Sequence, residues 1–97
     1  MFARVMNTNL KKDIIDEAAA EWLKHIEPFK KAGLRQAFML VDRKTGKYLS
    51  ITIWDSEDAQ NLNATSPTQT MSRQTMTEKY FESPPTPSTF EVVAVIE

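Results

Sequence analysis

Stretches of period two flank one long stretch of period 3.6. Phe2-Ala3-Arg4-Val5-Met6 is short and largely apolar and reads as a strand, with Asn7-Thr8-Asn9 behind it as a turn able to cap a helix. From about Leu10 to Lys31, the residues Ile15, Ala18, Ala19, Trp22, Ile26 and Phe29 recur at helical spacing, and Ile14 and Leu23 widen the stripe. Asp13, Asp16, Glu17, Lys24 and Glu27 take the opposite face. Pro28 removes a backbone hydrogen bond inside this run, so a kink or an angled last turn is expected, and Gly33 supplies the stop. Leu34 to Val41 and Tyr48 to Trp54 read as strands joined by the polar turn Asp42 to Lys47, an antiparallel hairpin. Asp55 to Ala59 opens a second helix with a capping side chain and acids in the first turn. Ser66-Pro67 breaks it, and Thr68 to Glu82 resumes helix with Met71, Met76, Tyr80 and Phe81 as contacts. The run Ser83-Pro84-Pro85-Thr86-Pro87 predicts an extended connector, and Phe90 to Ile96 a last strand.

The order β-α-β-β-α-β predicts a ferredoxin-like α+β fold over residues 1–97: four antiparallel strands with two helical regions on one face. Leu49, Ile51 and Ile53 are uniformly aliphatic and are expected to face the helices with Ala3 and Val5, leaving Phe2, Arg4, Met6, Tyr48, Ser50, Thr52 and Trp54 on the open side. The second and fourth strands are apolar on both faces. An open face carrying Phe2, Met6, Phe38, Leu40, Tyr48, Trp54, Val93 and Val95 needs a cover. A second copy of the same face is the simplest one, so a homodimer is expected.

Composition narrows the chemistry. In 97 residues there is no cysteine, one histidine and two glycines. Thiol catalysis, Cys-ligated metals, multi-His sites and Gly-rich phosphate loops are thereby excluded within one chain. A net charge of -1 speaks against a nucleic-acid partner. No apolar run approaches the roughly 20 residues of a membrane span, and no secretory leader pattern opens the sequence, so a cytoplasmic protein without membrane partners is expected.

The hairpin Val41-Asp42-Arg43-Lys44-Thr45-Gly46-Lys47 and the run Leu49-Ser50-Ile51-Thr52-Ile53-Trp54-Asp55-Ser56-Glu57-Asp58-Ala59, set in this order of elements, resemble the antibiotic biosynthesis monooxygenase superfamily. There a strand ends in Trp and an acidic helix start follows. The resemblance spans nearly the whole chain. It implies a dimeric α+β barrel in which two four-stranded sheets face each other, each subunit keeping a cavity between its own sheet and helices. It also implies, for some members, oxidation of quinol-like aromatics without metal or flavin. Haem-degrading relatives resemble one another in an Asn on strand one and in a Trp and a His of the second helix. Asn7 stands where the first is expected, but the second helix here has neither Trp nor His, and Thr68 follows Pro67 where presumed oxygenases carry a His. No haem, cofactor or catalytic metal is therefore expected.

The candidate catalytic residues are Asn7, His25, Trp54 and Tyr80, for orientation and proton transfer, with Trp22 and Phe29 as walls of a ligand cavity. His25 lies at the edge of the apolar stripe, one turn from Trp22. It serves either as a boundary residue bonded to a neighbour or as a general base. Trp54 serves either as a packing anchor or as a site residue. The residues alone are compatible with two functions: a cofactor-independent monooxygenase acting on an aromatic or quinol-like small molecule, or a non-catalytic ligand-binding or structural protein of the same fold.

Overall fold

A computed structural model describes residues 1–97. The elements are β1 (Phe2–Asn9), α1 (Ile15–Ile26), β2 (Leu34–Val41), β3 (Lys47–Trp54), α2 (Glu57–Ala64), α3 (Pro67–Lys79) and β4 (Thr86–Glu91). The strands form one antiparallel sheet in the order β2-β3-β1-β4. This is the ferredoxin-like α+β arrangement, with the second helical region broken where Pro67 predicts. Ser56 caps α2 by accepting from the Ala59 N–H at 3.1 Å, and Ser66 caps α3 by accepting from Gln69 at the same distance. α1 ends at Ile26, and the chain continues as a 3-10 segment, Glu27–Ala32, with Pro28 in its first turn, where the missing N–H costs nothing. Gly33 then closes the segment in the left-handed region at φ 98°.

Boundaries differ from the sequence reading at the first helix and at two strands. The helix expected from about Leu10 begins at Ile15, because Leu10 pairs with Phe81 in an isolated bridge and the 3-10 turn Lys12–Ile14 intervenes. β1 runs through Asn7, Thr8 and Asn9 instead of turning there, because the eight-residue β3 offers a ladder partner as far as Lys47. The last strand lies earlier than the run Phe90 to Ile96. Glu91 is already opposite Phe2, so β1 is used up, and beyond it only the Val92 N–H finds a partner, the Met1 carbonyl at 3.0 Å. Pro87 is accommodated because β4 is an edge strand.

The largest correction concerns which way the sheet faces. Tyr48, Ser50, Thr52 and Trp54 are buried, together with their cross-strand neighbours Thr8, Met6 and Arg4. The Trp22 indole N–H on α1 donates to Ser50 Oγ at 3.1 Å, which fixes this face as the one beneath the helices. Leu49, Ile51 and Ile53 point the other way, in line with Val5, Phe38, Leu40 and Phe90. Met6, Tyr48 and Trp54 are thus covered by the chain's own helices and Phe2 on the same face is half-buried, whereas Phe38 and Leu40 lie on the open face as predicted. Val93 and Val95 are exposed beyond the end of the sheet.

One core cluster joins α1, α3 and the sheet through Leu10, Ile15, Ala18, Trp22, Tyr48, Met76, Tyr80 and Phe81. The tilted rings of Phe29 and Trp54, with centroids 6.2 Å apart, pack the other end. The β2–β3 hairpin is tied to this core at Gly46, whose carbonyl accepts from the Leu10 N–H at 2.7 Å. A Cβ at Gly46 would sit 2.6 Å from the Leu10 carbonyl oxygen, and its φ is +81°, so position and conformation both demand glycine.

Candidate functional site

A small cavity of about 50 Å³ lies between the helices and the sheet. Its floor is the inner face of the sheet: Met6 of β1 with Tyr48 and Ser50 of β3. One wall is α1, with Trp22, His25 and Ile26. The other is α3, with Gln69, Ser72, Arg73 and Met76, closed at the end by Phe81 and Pro85. Arg73 and Pro85 also line an open polar groove with Thr70, Gln74, Thr77 and Glu78, so the cavity continues outward between α3 and the proline connector.

The sequence explains why these side chains meet. Trp22, His25 and Ile26 are three and four residues apart on α1 and share one face. Met6, Tyr48 and Ser50 share the inner face of adjacent strands, where Met6 is directly opposite Ser50. Gln69, Ser72, Arg73 and Met76 are likewise spaced by three and four on α3.

His25 is the titratable side chain whose placement is most telling. Its Nε2 lies 3.1 Å from Glu21 Oε2, one turn back on α1, and Glu21 is also 3.6 Å from Lys79 Nζ on α3. The approach of the carboxylate does not meet hydrogen-bond geometry, and Nε2 is buried with no hydrogen-bond partner. The ring nitrogen at the cavity wall is thus buried with the Glu21 carboxylate as its near neighbour, which supplies a countercharge if the ring takes a proton. Burial pushes the Tyr48 phenol up to about 12, partly offset by hydrogen bonding with Ser50 and Trp22. Tyr48 is therefore a neutral hydroxyl across the physiological range, able to donate but not to act as a base.

The other tyrosine, Tyr80, is also pushed up, first by burial and then by the charges of Glu17 and Glu21. Both phenols of the chain are raised, so folded protein binds more protons than unfolded protein above the ordinary tyrosine range. Their stabilisation is complete below pH ~10 and is lost as pH rises through the folded-state values. A spectrophotometric titration of native protein should therefore show less phenolate at pH ~10 than unfolded protein does, and phenolate absorbance should grow together with unfolding at higher pH. Normal titration of either tyrosine in folded protein would contradict this.

The structure brings together only part of the predicted set. His25 and Trp22 line the cavity. Phe29 does not: it packs on Trp54 and borders a separate surface groove beside α2. Trp54 is 1 % exposed, and its indole N–H donates to Thr52 Oγ1 at 2.8 Å, the geometry of a packing anchor. Tyr80 sits at the end of α3 inside the core cluster, and its carbonyl accepts from the Lys11 N–H at 3.0 Å. Asn7 is exposed on the outer face, opposite Leu49 and Thr86, because β1 continues straight through it. The sequence reading did not place Tyr48, Ser50 and Met6 at the site. Their signal is the polar and aromatic alternation of one sheet face, which the aliphatic character of the other face disguises.

No protein-family model and no curated protein matches the sequence. Solved structures do match. An antibiotic biosynthesis monooxygenase is 16% identical with a TM-score of 0.74, over 97% of this chain and all of that one. The fold is that of the antibiotic biosynthesis monooxygenases. Rv0793 from Mycobacterium tuberculosis is 15% identical with a TM-score of 0.76, over 99% of this chain and 98% of that one. SnoaB from Streptomyces nogalater, described as a cofactor-independent oxygenase, is 13% identical with a TM-score of 0.76, over 98% of this chain and 95% of that one. No helix is long and apolar enough to cross a membrane.

Proposed function

We propose that this chain is a homodimeric member of the antibiotic biosynthesis monooxygenase superfamily that oxidises an aromatic, quinol-like small molecule with molecular oxygen and no cofactor. The observation that carries this reading is His25: a ring nitrogen buried without a hydrogen-bond partner at the wall of a cavity lined by Trp22, Met6, Met76 and Phe81. The likeness in fold to a described cofactor-independent oxygenase supports it. In such a reaction an activated CH2 group and O2 give a ketone and water, and the substrate supplies the electrons. The protein's share is to hold the ring against apolar walls, to accept the proton that leaves carbon, and to exclude bulk water. His25 takes the proton, Glu21 provides the countercharge, and the neutral Tyr48 and Ser50 hydroxyls orient a substrate oxygen.

The second reading is ligand binding without turnover, and size bears on both readings. A cavity of about 50 Å³ is well below the ~150 Å³ that takes up a benzene ring. Turnover of a fused aromatic requires the α3 wall to give way. α3 buries only Ser72 and Met76, so it is held by few apolar contacts.

Oxygen uptake with a panel of anthrone- and quinol-type compounds separates the two. Wild-type protein is expected to consume oxygen in the presence of a chelator. His25→Ala is expected to lower the rate by about 10²-fold or more, the usual share of a general base, with unchanged circular dichroism. No uptake with any compound, or an equal rate in the variant, counts against the enzyme reading.

The corrected sheet orientation supports the proposed dimer. Phe38, Leu40 and Phe90 are about half exposed, and they join Val5, Leu49, Ile51 and Ile53 in one aliphatic and aromatic face with no helix over it. Two such faces packed together bury each other's apolar surface, and each subunit keeps its own cavity on the far side of its sheet.

A further inference from the structure

The closed chamber has room for one member of a reacting pair but not for the other. Its volume of about 50 Å³ is several times the ~10–15 Å³ that a water-sized sphere occupies, and about a third of the ~150 Å³ that takes up a benzene ring. A diatomic molecule fits between those limits with every wall in place. The surface it meets is mainly apolar. Met6, Met76 and Phe81 are each less than one-tenth exposed, and they converge on the chamber from β1, from α3 and from just beyond α3. Trp22 and Ile26 add the wall of α1. Polar atoms on the sheet and α1 sides are engaged with one another: the Trp22 N–H donates to Ser50 Oγ, the Tyr48 phenol joins that pair, and His25 Nε2 faces Glu21. The remaining polar side chains, Gln69, Ser72 and Arg73, all come from α3. A water stays in such a space only with about two to four polar partners. An apolar guest needs only close contact, which the polarisable thioethers of Met6 and Met76 supply. Arg73 and Pro85 belong both to the chamber and to the outward groove, so a small guest has a path in from solvent.

We propose that the closed chamber is a dioxygen site, in which the gas lies against Met6, Met76 and Phe81 beside the His25 ring. The choice of gas rests on the oxygenase reading, and the choice of place rests on the size and lining of the chamber. Dioxygen then occupies the site in the resting protein, before any organic compound is present. The organic reactant enters second, by displacing the α3 wall toward a chamber that already holds its oxidant.

Dioxygen is paramagnetic, and the methionines are spread so as to report where it dwells. Met6 and Met76 line the chamber, Met39 packs against the same core without lining it, and Met71 is exposed. The test is nuclear relaxation of methyl-13C-methionine protein, full chain and with no organic compound, under pressurised oxygen and under nitrogen at the same pressure. The oxygen-induced relaxation at Met6 and Met76 is expected to exceed that at Met39 and at Met71 by at least about threefold, since an apolar cavity concentrates an apolar guest. Ser72→Leu, which replaces a buried hydroxyl of the α3 wall with carbon, is expected to bring Met6 and Met76 down to the level of Met39. If that variant does not fold, Ser72→Val takes its place. Equal relaxation at Met6, Met76 and Met39, as a water-filled chamber would give, overturns the proposal. So does an excess that survives the filling substitution in folded protein. An excess at Met6 and Met76 with no oxygen uptake on any compound removes only the oxygenase reading. Oxygen uptake without that excess removes only the dioxygen site.

Discussion

Replacing Ile51 by lysine is expected to yield a folded monomer. Ile51 lies on β3, an inner strand, with Val5 and Phe38 as its cross-strand neighbours on the aliphatic face. In the proposed dimer that face is sealed from water, so two symmetry-related ammonium groups would be buried there without partners. Stranding an unpaired charge costs about 3–5 kcal/mol, which raises the dimer dissociation constant by roughly 10³-fold or more. Within the monomer the side chain is only half-buried and the lysine reaches solvent, so the fold survives. The adjacent position gives the internal control. Thr52 is buried beneath the helices beside Arg4, so Thr52→Lys should disrupt the monomer itself. Sedimentation velocity and circular dichroism on both variants check the pair of outcomes. A wild-type monomer at micromolar concentration, or an Ile51→Lys dimer as tight as the wild type, would remove the interface.

Trp54→Ala should be among the most damaging single substitutions in the chain. The side chain is 1 % exposed, packs on Phe29 and donates to Thr52. Truncating a buried Trp costs about 3–5 kcal/mol, against a total stability of about 5–15 kcal/mol for a domain of ordinary stability. The melting temperature should fall by more than about 10 °C. Trp54→Phe keeps the ring packing and loses one hydrogen bond, for about 1 kcal/mol. It should leave oxygen uptake close to wild type, because the residue does not line the cavity. A large loss of turnover in well-folded Trp54→Phe would instead return Trp54 to the site.

Local rules made most of the fold legible. The Ile15 to Phe29 stripe, the caps at Ser56 and Ser66, the break at Pro67 and the hairpin around Gly46 each depend on a few neighbouring residues. The shifted strand boundaries depend on partners far along the chain. Nothing within Asn7-Thr8-Asn9 says that β3 is long enough to keep pairing, and nothing within Val92 to Ile96 says that β1 has already ended. The sheet orientation failed for a deeper reason. Period two identifies two faces but not which one the helices take. In a lone two-layer domain, Leu49, Ile51 and Ile53 would go inward. Here the inner face holds Arg4, Thr8, Tyr48, Ser50, Thr52 and Trp54, of which Tyr48 and Ser50 line the chamber, and the aliphatic face has no helix over it. The same error hid half of the site. His25 and Trp22 were readable from helical spacing alone, whereas Tyr48 and Ser50 came into view only when the face was assigned.

The two tryptophans of the chain report separately on the chamber beneath the helices. Trp22 forms its wall, while Trp54 is packed against Phe29 away from it. The direct measurement is fluorescence titration of Trp54→Phe, which retains only Trp22, and of Trp22→Phe, which retains only Trp54. The ligand is 1,4-naphthoquinone, a product-like compound that needs no turnover. Saturable quenching of the Trp22-only protein, with the Trp54-only protein unaffected beyond the absorbance correction, is the predicted result. Equal quenching of both proteins, or saturable quenching of Trp54 alone, would place the ligand elsewhere and contradict the assignment of the chamber as the site.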